Sequence, residues 1–348
     1  MPIRVATVRA ADIPSSQTDF PFYVDLGRVG ATALTLAEAQ SSRWYTDTDL
    51  VTEMAREIVS LTEGHGKYAS LTSTSKIAID YDGIRADYGV GATFGRNNVW
   101  SASRARYHLN DTTDSTGNGF TLTNNNSVSF NSQKIANGGD TGASNTNKTL
   151  SIDASGPAGI SYTQFGTAWS NGGWFNPYTT SGFYSFYGIQ VQEDSPTNRR
   201  LYRLTNDAGT LKLSVFDGTS NLYSTSQSLV VDTWYHLIVV FTGTQFLVYA
   251  NGVNVLTQNR SLSTFSSSQA GGLGIFCSRF GNSNFDVGSI RADEFYTTES
   301  ALSANWITTE YNNQNAESTF WGTWTTFGGG GFTPTPLMHM RMMAGGGV

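Results

Sequence analysis

The side chains that most often carry out chemistry are few and dispersed along this sequence. The four histidines are His65, His108, His236 and His339, and the single cysteine is Cys277. The spacing of these residues does not indicate a catalytic triad or a metal cluster. A single cysteine also excludes an internal disulfide framework and a zinc site built from cysteines.

The acidic residues and the glycine runs give equally little indication of catalysis. Asp293 and Glu294 are adjacent, so on a regular strand we expect their side chains to point to opposite faces. Gly271-Gly272 and the run from Gly328 to Gly331 lack the Lys-Ser or Lys-Thr that follows a phosphate-binding loop. These patterns predict a protein that is not an enzyme.

One glycine-rich segment combines aromatic rings with amide groups. Sugar sites pair exposed rings with a few polar groups, so a loop here would suit a glycan. The five candidate ligand-binding residues are Trp169, Asn171, Trp174, Asn176 and Tyr178. The alternative is that Trp169 and Trp174 are core residues flanking a turn, and it is favoured because large aromatic side chains usually supply burial.

Trp234 and His236 form a second pattern that invites a binding or catalytic interpretation. Residues two apart on a strand share one face of the sheet. The favoured interpretation is structural, with a buried tryptophan beside a partnered histidine inside a β-sandwich core.

Composition and turn signals indicate the elements that hold these side chains. The chain has 348 residues, a net charge of −6, 14% charged residues and 13% aromatic residues. It is too aromatic for a disordered chain, and its acidic balance without basic runs argues against nucleic-acid binding. Short strands separated by Gly, Asn, Ser and Asp predict an antiparallel sandwich or barrel. The pair Asn251-Gly252 predicts a type I′ hairpin turn.

Two segments are candidate helices. Residues 47–59 begin with an aspartate and carry early acidic residues, although their register is also compatible with a strand ending at 56–59. Residues 302–311 form a better candidate, because Ser303 can cap the helix and its apolar residues share one face. No stretch approaches the roughly 20 apolar residues that a membrane span requires.

Three segments, in family order, resemble concanavalin-like and laminin-G-like jelly rolls. Residues 234–252 resemble the W-x-H strand and the hairpin ending in N-G, and residues 288–303 resemble the closing strand. Residues 107–119 resemble the opening strand and its D-x-x-G-N-G loop, so the likeness covers about residues 99–315. The resemblance implies an all-β fold with an antiparallel β-sandwich.

The N-terminal part is similar to a β-rich module that often precedes such jelly rolls in bacteriophage virion proteins and bacterial surface proteins. The likeness rests on residues 19–26, 43–47, 56–59 and 78–81, and this module has no assigned chemistry. We therefore expect three parts. They are a β-rich module at 1–95, a laminin-G-like jelly roll at 96–325 and a flexible tail rich in Gly and Met at 326–348.

The family resemblance also bears on metals and catalysis. Such jelly rolls often hold Ca²⁺ with loop oxygens, and the matching positions here are Asp114, Asn118 and Asp293. Solvated turn residues explain the same side chains equally well, and no other cofactor is expected. Glycosidases of this fold carry paired carboxylates as E-x-D-x-x-E on one strand, a spacing that this sequence lacks.

The functional prediction is a non-enzymatic structural protein of a bacteriophage virion. It would be a capsid decoration, head-fibre or tail-associated protein, assembled in the host cytoplasm, with the jelly roll used for surface display or adhesion. Its expected partners are other virion proteins, further copies of itself and a host-surface glycan, but neither nucleic acid nor a membrane interior. The first residues show no secretion signal, and the Met-rich tail is typical of a docking arm. The alternative is an extracellular or cell-surface lectin-like module or adhesin.

Overall fold

Antiparallel strands dominate the chain. The structure is a computed structural model that describes residues 3–145, 147–154, 168–192, 199–217, 219–260, 271–280 and 283–327. Most of the predicted tail, from residue 328 onward, lies outside the described residues. Within the described ranges the helices are too short and too polar to cross a membrane.

The first module consists of two small sheets. Its strands and helices are β1 (Ile3–Thr7), β2 (Gln17–Val24), α1 (Leu36–Ser41), β3 (Arg43–Tyr45), β4 (Arg56–Ser60), β5 (Glu63–Leu71), β6 (Lys76–Asp80) and α2 (Arg96–Val99). β1, β6 and β3 pair in that order, and β2, β5 and β4 form the other sheet. A buried core that includes Phe22, Trp44 and Tyr68 holds the module together, because aromatic side chains bury large apolar areas.

The second module is a β-sandwich. Its strands are β7 (Ser103–Tyr107), β8 (Thr123–Asn125), β9 (Ser129–Ser132), β10 (Asn137–Asp140), β11 (Thr149–Ala154), β12 (Trp169–Pro177), β13 (Phe183–Gln192), β14 (Arg199–Asp207), β15 (Thr210–Asp217), β16 (Ser220–Ser228), β17 (Tyr235–Phe241), β18 (Gln245–Ala250), β19 (Val253–Asn259), β20 (Gly271–Ile275), β21 (Ser278–Phe280), β22 (Ser283–Phe285) and β23 (Ile290–Thr298). One large sheet follows the order β19-β18-β17-β12-β23-β10-β9, with β7 also on β23, and the other follows β16-β15-β14-β13-β20-β11-β8. Side chains from both sheets form one core.

The chain then returns to the first module. The last elements are α3 (Ala304–Asn315), α4 (Glu317–Phe320) and β24 (Thr325–Thr326). β24 pairs with β1, and the Asn313 side chain bonds to both the backbone N–H and the carbonyl of Tyr23, at 2.7 and 3.0 Å. Trp321 Nε1 donates to the same carbonyl at 2.8 Å. The sequence-based division assigns residues up to 325 to the jelly roll, whereas Phe320 and Trp321 pack in the core of the first module.

Local sequence signals account for several of these elements. Asn251 and Gly252 have φ angles of 51° and 78°, as the predicted type I′ turn requires. The Ser303 side chain caps α3 by accepting a hydrogen bond from the backbone N–H of Trp306, which confirms that helix. Residues 47–59 are not helical, and the strand alternative is confirmed by β4.

Candidate functional site

A group of charged side chains is buried where the first module meets the second. These side chains are 1–6% exposed. β4 and β5 of the first module supply Glu57, Glu63 and His65, while β7 and the residue after it supply Arg106 and His108, and β23 supplies Asp293 and Glu294. We call this group the junction cluster. Burying so many ionisable groups costs free energy unless they are paired. The hydrogen bonds and ion pairs among them provide this pairing.

His108 lies at the centre of the junction cluster. Its Nδ1 is 2.6 Å from Glu294 Oε1 and 3.0 Å from Glu63 Oε1, and its Nε2 is 3.0 Å from Glu57 Oε2. The Nε2 atom of His65 is 3.0 Å from the same Glu63 oxygen and 3.8 Å from Glu294 Oε2. The two imidazole rings are stacked with centroids 4.7 Å apart. Two histidines and two glutamates from separate modules therefore converge on one small volume.

Neighbouring side chains hold the carboxylates of the cluster in place. Glu57 accepts hydrogen bonds from Trp100 Nε1 and, at 2.9 Å, from Ser115 Oγ. Glu294 accepts a hydrogen bond from the Arg106 guanidinium. Because charge-assisted hydrogen bonds are strong and directional, these contacts fix the carboxylate orientations.

A β-bulge on β23 brings two adjacent carboxyl groups to this place. Glu294 has a φ angle of 55°, and the register between β12 and β23 shifts at this position. A Cβ atom on Gly173 would lie 2.9 Å from the carbonyl oxygens of both Asp293 and Glu294, so only glycine fits opposite the bulge. The expectation that Asp293 and Glu294 point to opposite faces assumed a regular strand, whereas the bulge breaks the alternation and both side chains are buried.

The buried environment sets the charge of each member. Burial opposes ionisation of Glu63, but the charge of His108 and hydrogen bonds from both histidines outweigh it and lower its pKa to about 2. Burial likewise opposes charge on His108, yet Glu57 and Glu63 raise its pKa to about 9. Burial dominates at His65 and lowers its pKa to about 4. Burial and the charge of Glu63 raise the pKa of Asp293 well above its usual range.

These pKa shifts predict that the protein, treated with a chelator so that no metal ion occupies the cluster, loses stability as the pH rises above neutrality. The folded state holds the proton of His108 up to about pH 9, compared with 6.5 for the ordinary group. Its contribution is therefore complete below pH 6.5 and is lost as the pH rises through 9, and the raised pKa of Asp293 acts in the same direction. We expect the free energy of unfolding in urea to fall by on the order of 1–3 kcal/mol across this window.

Two variants test the origin of this pH dependence. His108→Gln should reduce the fall in the free energy of unfolding, because the variant lacks the imidazole whose pKa is raised. His236→Gln, which replaces another buried histidine outside the junction cluster, should retain it. An unchanged pH dependence in His108→Gln would contradict the assignment.

The structure places the three predicted calcium ligands in different surroundings. Both oxygens of Asp114 accept hydrogen bonds from its own loop and from the backbone of Arg106. Asn118 is exposed and donates to the carbonyl of Arg104 at 3.0 Å. Asp293 lies in the junction cluster and accepts from the backbone N–H of Ile135 at 2.9 Å. These contacts do not bring the three side chains to one point, so calcium at these residues stays a prediction.

The five predicted glycan-binding residues do not form an exposed surface. The segment is the central strand β12, and all nine of its residues are buried. Trp169 stacks on Tyr202 in the sandwich core with centroids 4.3 Å apart, and Asn171 accepts a hydrogen bond from the same tyrosine. Trp174 faces α3, where its Nε1 donates to Gln314 at 2.6 Å. The hypothesis of an exposed loop is therefore corrected. Both tryptophans are buried, as the alternative expected, but a continuous strand and not a turn connects them.

Two of the five residues lie at the far end of this segment. Asn176 is 2% exposed at the end of β12. Tyr178, which follows the strand, is half-buried; its hydroxyl donates to Asp140 at 3.0 Å and its ring lies under the Arg291 guanidinium. A single partly exposed ring tied up in such contacts does not make a sugar-binding surface.

Trp234 and His236 are separated by their surroundings. His236 is 1% exposed, and its Nε2 lies 3.3 Å from Glu310 Oε2. Trp234 precedes β17 and is half-buried. The structure therefore agrees with a buried, partnered histidine. It places that histidine beside Tyr311 on the α3 side of the sheet and not in the sandwich core, and the tryptophan is not fully buried.

A cleft of about 430 Å³ opens between the modules, next to the junction cluster. Trp100, Arg106 and Tyr296 line it on the side of the cluster, and Trp306 and Asp19 line it elsewhere. Asp19 interrupts β2 with a φ angle of 46°, a backbone conformation that non-glycine residues seldom adopt. The cleft combines aromatic rings with polar groups in the way that small polar ligands require.

Sequence reasoning missed both the junction cluster and the cleft. Their residues come from strands that are far apart in the chain, so no local spacing connects His65 with His108. The sequence shows the adjacent carboxylates of Asp293 and Glu294, but it does not show the bulge at which both become buried.

Comparison with known proteins agrees with the observed architecture. Residues 154–308 match the family model of the concanavalin A-like lectin/glucanases superfamily. No curated protein sequence matches the chain. The second module, with its two antiparallel sheets, is a concanavalin-like jelly roll that follows a β-rich N-terminal region, so the predicted all-β fold class is confirmed.

Several solved structures are similar to this chain. Domain 4 of AbnA, a GH43 extracellular arabinanase from Geobacillus stearothermophilus in complex with arabinotriose, is 19% identical with a TM-score of 0.44, covering 59% of this chain and 96% of that one. The binding domain of botulinum neurotoxin serotype D is 15% identical with a TM-score of 0.44, and the match covers 61% of this chain and 51% of that one. A SAP-like pentraxin from Limulus polyphemus is 16% identical with a TM-score of 0.34, covering 47% and 82%.

Proposed function

We propose that this protein is a non-enzymatic structural protein of a bacteriophage particle and that its jelly roll serves surface display or adhesion. The observation that supports this proposal is the mutual locking of the two modules. β24 extends the first sheet after the chain has passed through the sandwich, and Asn313 binds the edge of β2 at Tyr23. Such a body keeps the orientation of its binding faces fixed, as a displayed part of a particle requires.

The low charge of the chain is consistent with this role. Surfaces with few charged groups pack against neighbours at a smaller desolvation cost, so repeated copies can associate closely. The proposed partners are therefore further copies of this chain and other virion proteins. The Gly- and Met-rich segment from residue 328 onward would provide an adaptable contact to them.

Sedimentation and particle composition test the virion proposal. We expect the full chain to sediment as a multimer and to be present in multiple copies when purified particles are analysed by mass spectrometry. A variant that ends at Phe327 should fold normally and associate more weakly. A strictly monomeric full chain together with its absence from purified particles would overturn the proposal.

A second candidate function, glycan recognition, is favoured by the cleft between the modules. Trp306 is half-buried at the cleft, with its ring 5.2 Å from that of Phe20. Asp19, Gln17 and Ser303 add polar groups around this ring. An aromatic surface bordered by carboxylate and amide groups suits a sugar, so we propose that a glycan site lies here and not on β12.

A glycan array distinguishes this function from a purely structural one. Binding by the wild-type chain should be lost in Trp306→Ala and weakened in Asp19→Asn, which keeps a residue type that tolerates positive φ. Trp234→Ala, which changes a half-buried tryptophan away from the cleft, is the matched control, and circular dichroism checks that each variant is folded. Absence of any glycan binding, or binding unaffected by both cleft variants, would contradict the proposal.

A further inference from the structure

We propose that Glu63, His65, His108 and Glu294 form a site for one divalent cation of the first-row transition metals at the junction of the two modules. Each residue offers one ligand atom, and these four atoms lie within 4.8 Å of one another. None of these four ligands is a predicted calcium residue, and none of them lines the cleft that would hold a glycan.

The distances between the donor atoms fit a shared cation. A metal bound at about 2.0–2.2 Å from nitrogen and oxygen ligands holds those ligands roughly 3–4 Å apart. Glu63 Oε1 is 3.0 Å from both His65 Nε2 and His108 Nδ1, and His65 Nε2 is 3.8 Å from Glu294 Oε2. The 2.6 Å contact between His108 Nδ1 and Glu294 Oε1 has to widen for both atoms to bind the same cation.

The donor set selects the class of metal. Two imidazole nitrogens and two carboxylate oxygens suit Zn²⁺, Mn²⁺, Fe²⁺ or Co²⁺. Ca²⁺ takes six to eight oxygen ligands and is therefore disfavoured in this small cluster. We accordingly expect the site to discriminate against calcium.

The surroundings of His108 are those of a metal-binding histidine. A ligating imidazole usually donates its second ring N–H to a carboxylate, which fixes the tautomer and turns the free lone pair to the metal. Glu57 Oε2 lies 3.0 Å from His108 Nε2 and leaves Nδ1 directed at the other two carboxylates. Glu57 is itself oriented by Trp100 and Ser115.

The balance of buried charges also favours a bound divalent cation. A metal would replace the proton that His108 carries in the metal-free protein. With both imidazoles then neutral, the carboxylates Glu57, Glu63 and Glu294 face the fixed cation Arg106, with Arg96 Nε 3.8 Å from Glu57 Oε1. Uncompensated carboxylates cost several kcal/mol each when buried. A divalent cation would supply the missing positive charge where the carboxylates converge.

Because the ligands are almost fully buried, the metal should be loaded during folding. The full chain is unfolded in guanidinium with a chelator, desalted, and refolded with an equimolar amount of Co²⁺ or Zn²⁺. We expect one metal per chain to remain after gel filtration, and Co²⁺ to show visible absorption typical of nitrogen and oxygen ligands. Thermal unfolding should shift upward by several degrees with Zn²⁺ but not with an equimolar amount of Ca²⁺.

Matched variants locate the metal. His65→Gln and His108→Gln should each lose the bound Co²⁺, whereas His236→Gln, which removes a buried histidine beside Glu310, should retain it. The wild-type measurements need no variant to fold, so they decide the question alone if the substitutions prevent folding. Wild-type protein that refolds with less than about a tenth of an equivalent of metal, or equal retention in all three variants, would overturn the proposal.

Discussion

Replacing Arg106 by methionine is expected to lower the free energy of unfolding by about 3–5 kcal/mol. Arg106 is 2% exposed, donates to Glu294 and lies 3.8 Å from Glu310. Its guanidinium also lies over the Trp100 ring at 4.4 Å. Methionine keeps much of the volume but removes the guanidinium from two buried carboxylates, and that lost charge compensation is the main cost. Urea unfolding at neutral pH measures the loss.

The matched control for this prediction is a more accessible ion pair. Lys212 Nζ lies 2.6 Å from Asp207 Oδ2, and the side chains are 20% and 34% exposed. Solvent screens this pair, so Lys212→Met should cost no more than about 1 kcal/mol. Equal losses in both variants would show that burial of the Arg106 contacts does not determine their energy.

Trp321→Ala is expected to cost about 3–5 kcal/mol. Trp321 is fully buried in the first module, 5.1 Å from the Phe22 ring, and its Nε1 donates to Tyr23. Removing the side chain creates a cavity in a core that residues from both ends of the chain share. We expect a lower thermal midpoint than in the wild-type protein, with the near-ultraviolet circular dichroism signal lost at a lower temperature.

A second tryptophan provides the control for this prediction. Trp234 is half-buried ahead of β17, so Trp234→Ala should cost clearly less than the change at Trp321. A loss below about 1 kcal/mol for Trp321→Ala would contradict the conclusion that the C-terminal segment completes the first module.

The sequence predicts the elements whose signals are local. The Asn251-Gly252 turn needs two positive φ angles, and Ser303 needs only the backbone N–H three residues later, so neither depends on distant contacts. The glycine-rich segment of β12 was harder to interpret. Its glycines are typical of a loop. In the structure, however, a glycine is required at position 173 because the backbone of β23 approaches closely at the bulge and leaves no room for a side chain.

The junction cluster could not be predicted, because the contacts that create it are long-range. His65 lies on β5 of one module and His108 follows β7 of the other, and each would be an ordinary buried histidine alone. At Glu294 the alternation of side chains between the two faces of the strand is broken. This break depends on how β23 pairs with β12 and β7, which the local sequence does not show. The same reasoning explains why the sequence does not indicate that Phe320 and Trp321 pack in the core of the first module.

The pairing of β24 with β1 has a consequence for biosynthesis. Ile3–Thr7 are translated long before their partner Thr325–Thr326. The jelly roll, whose strands all lie between them, can therefore reach its native state while the first module still lacks an edge strand and part of its core. During translation the module that comes second in the sequence should mature first, and the module that comes first would be the last to become resistant to protease.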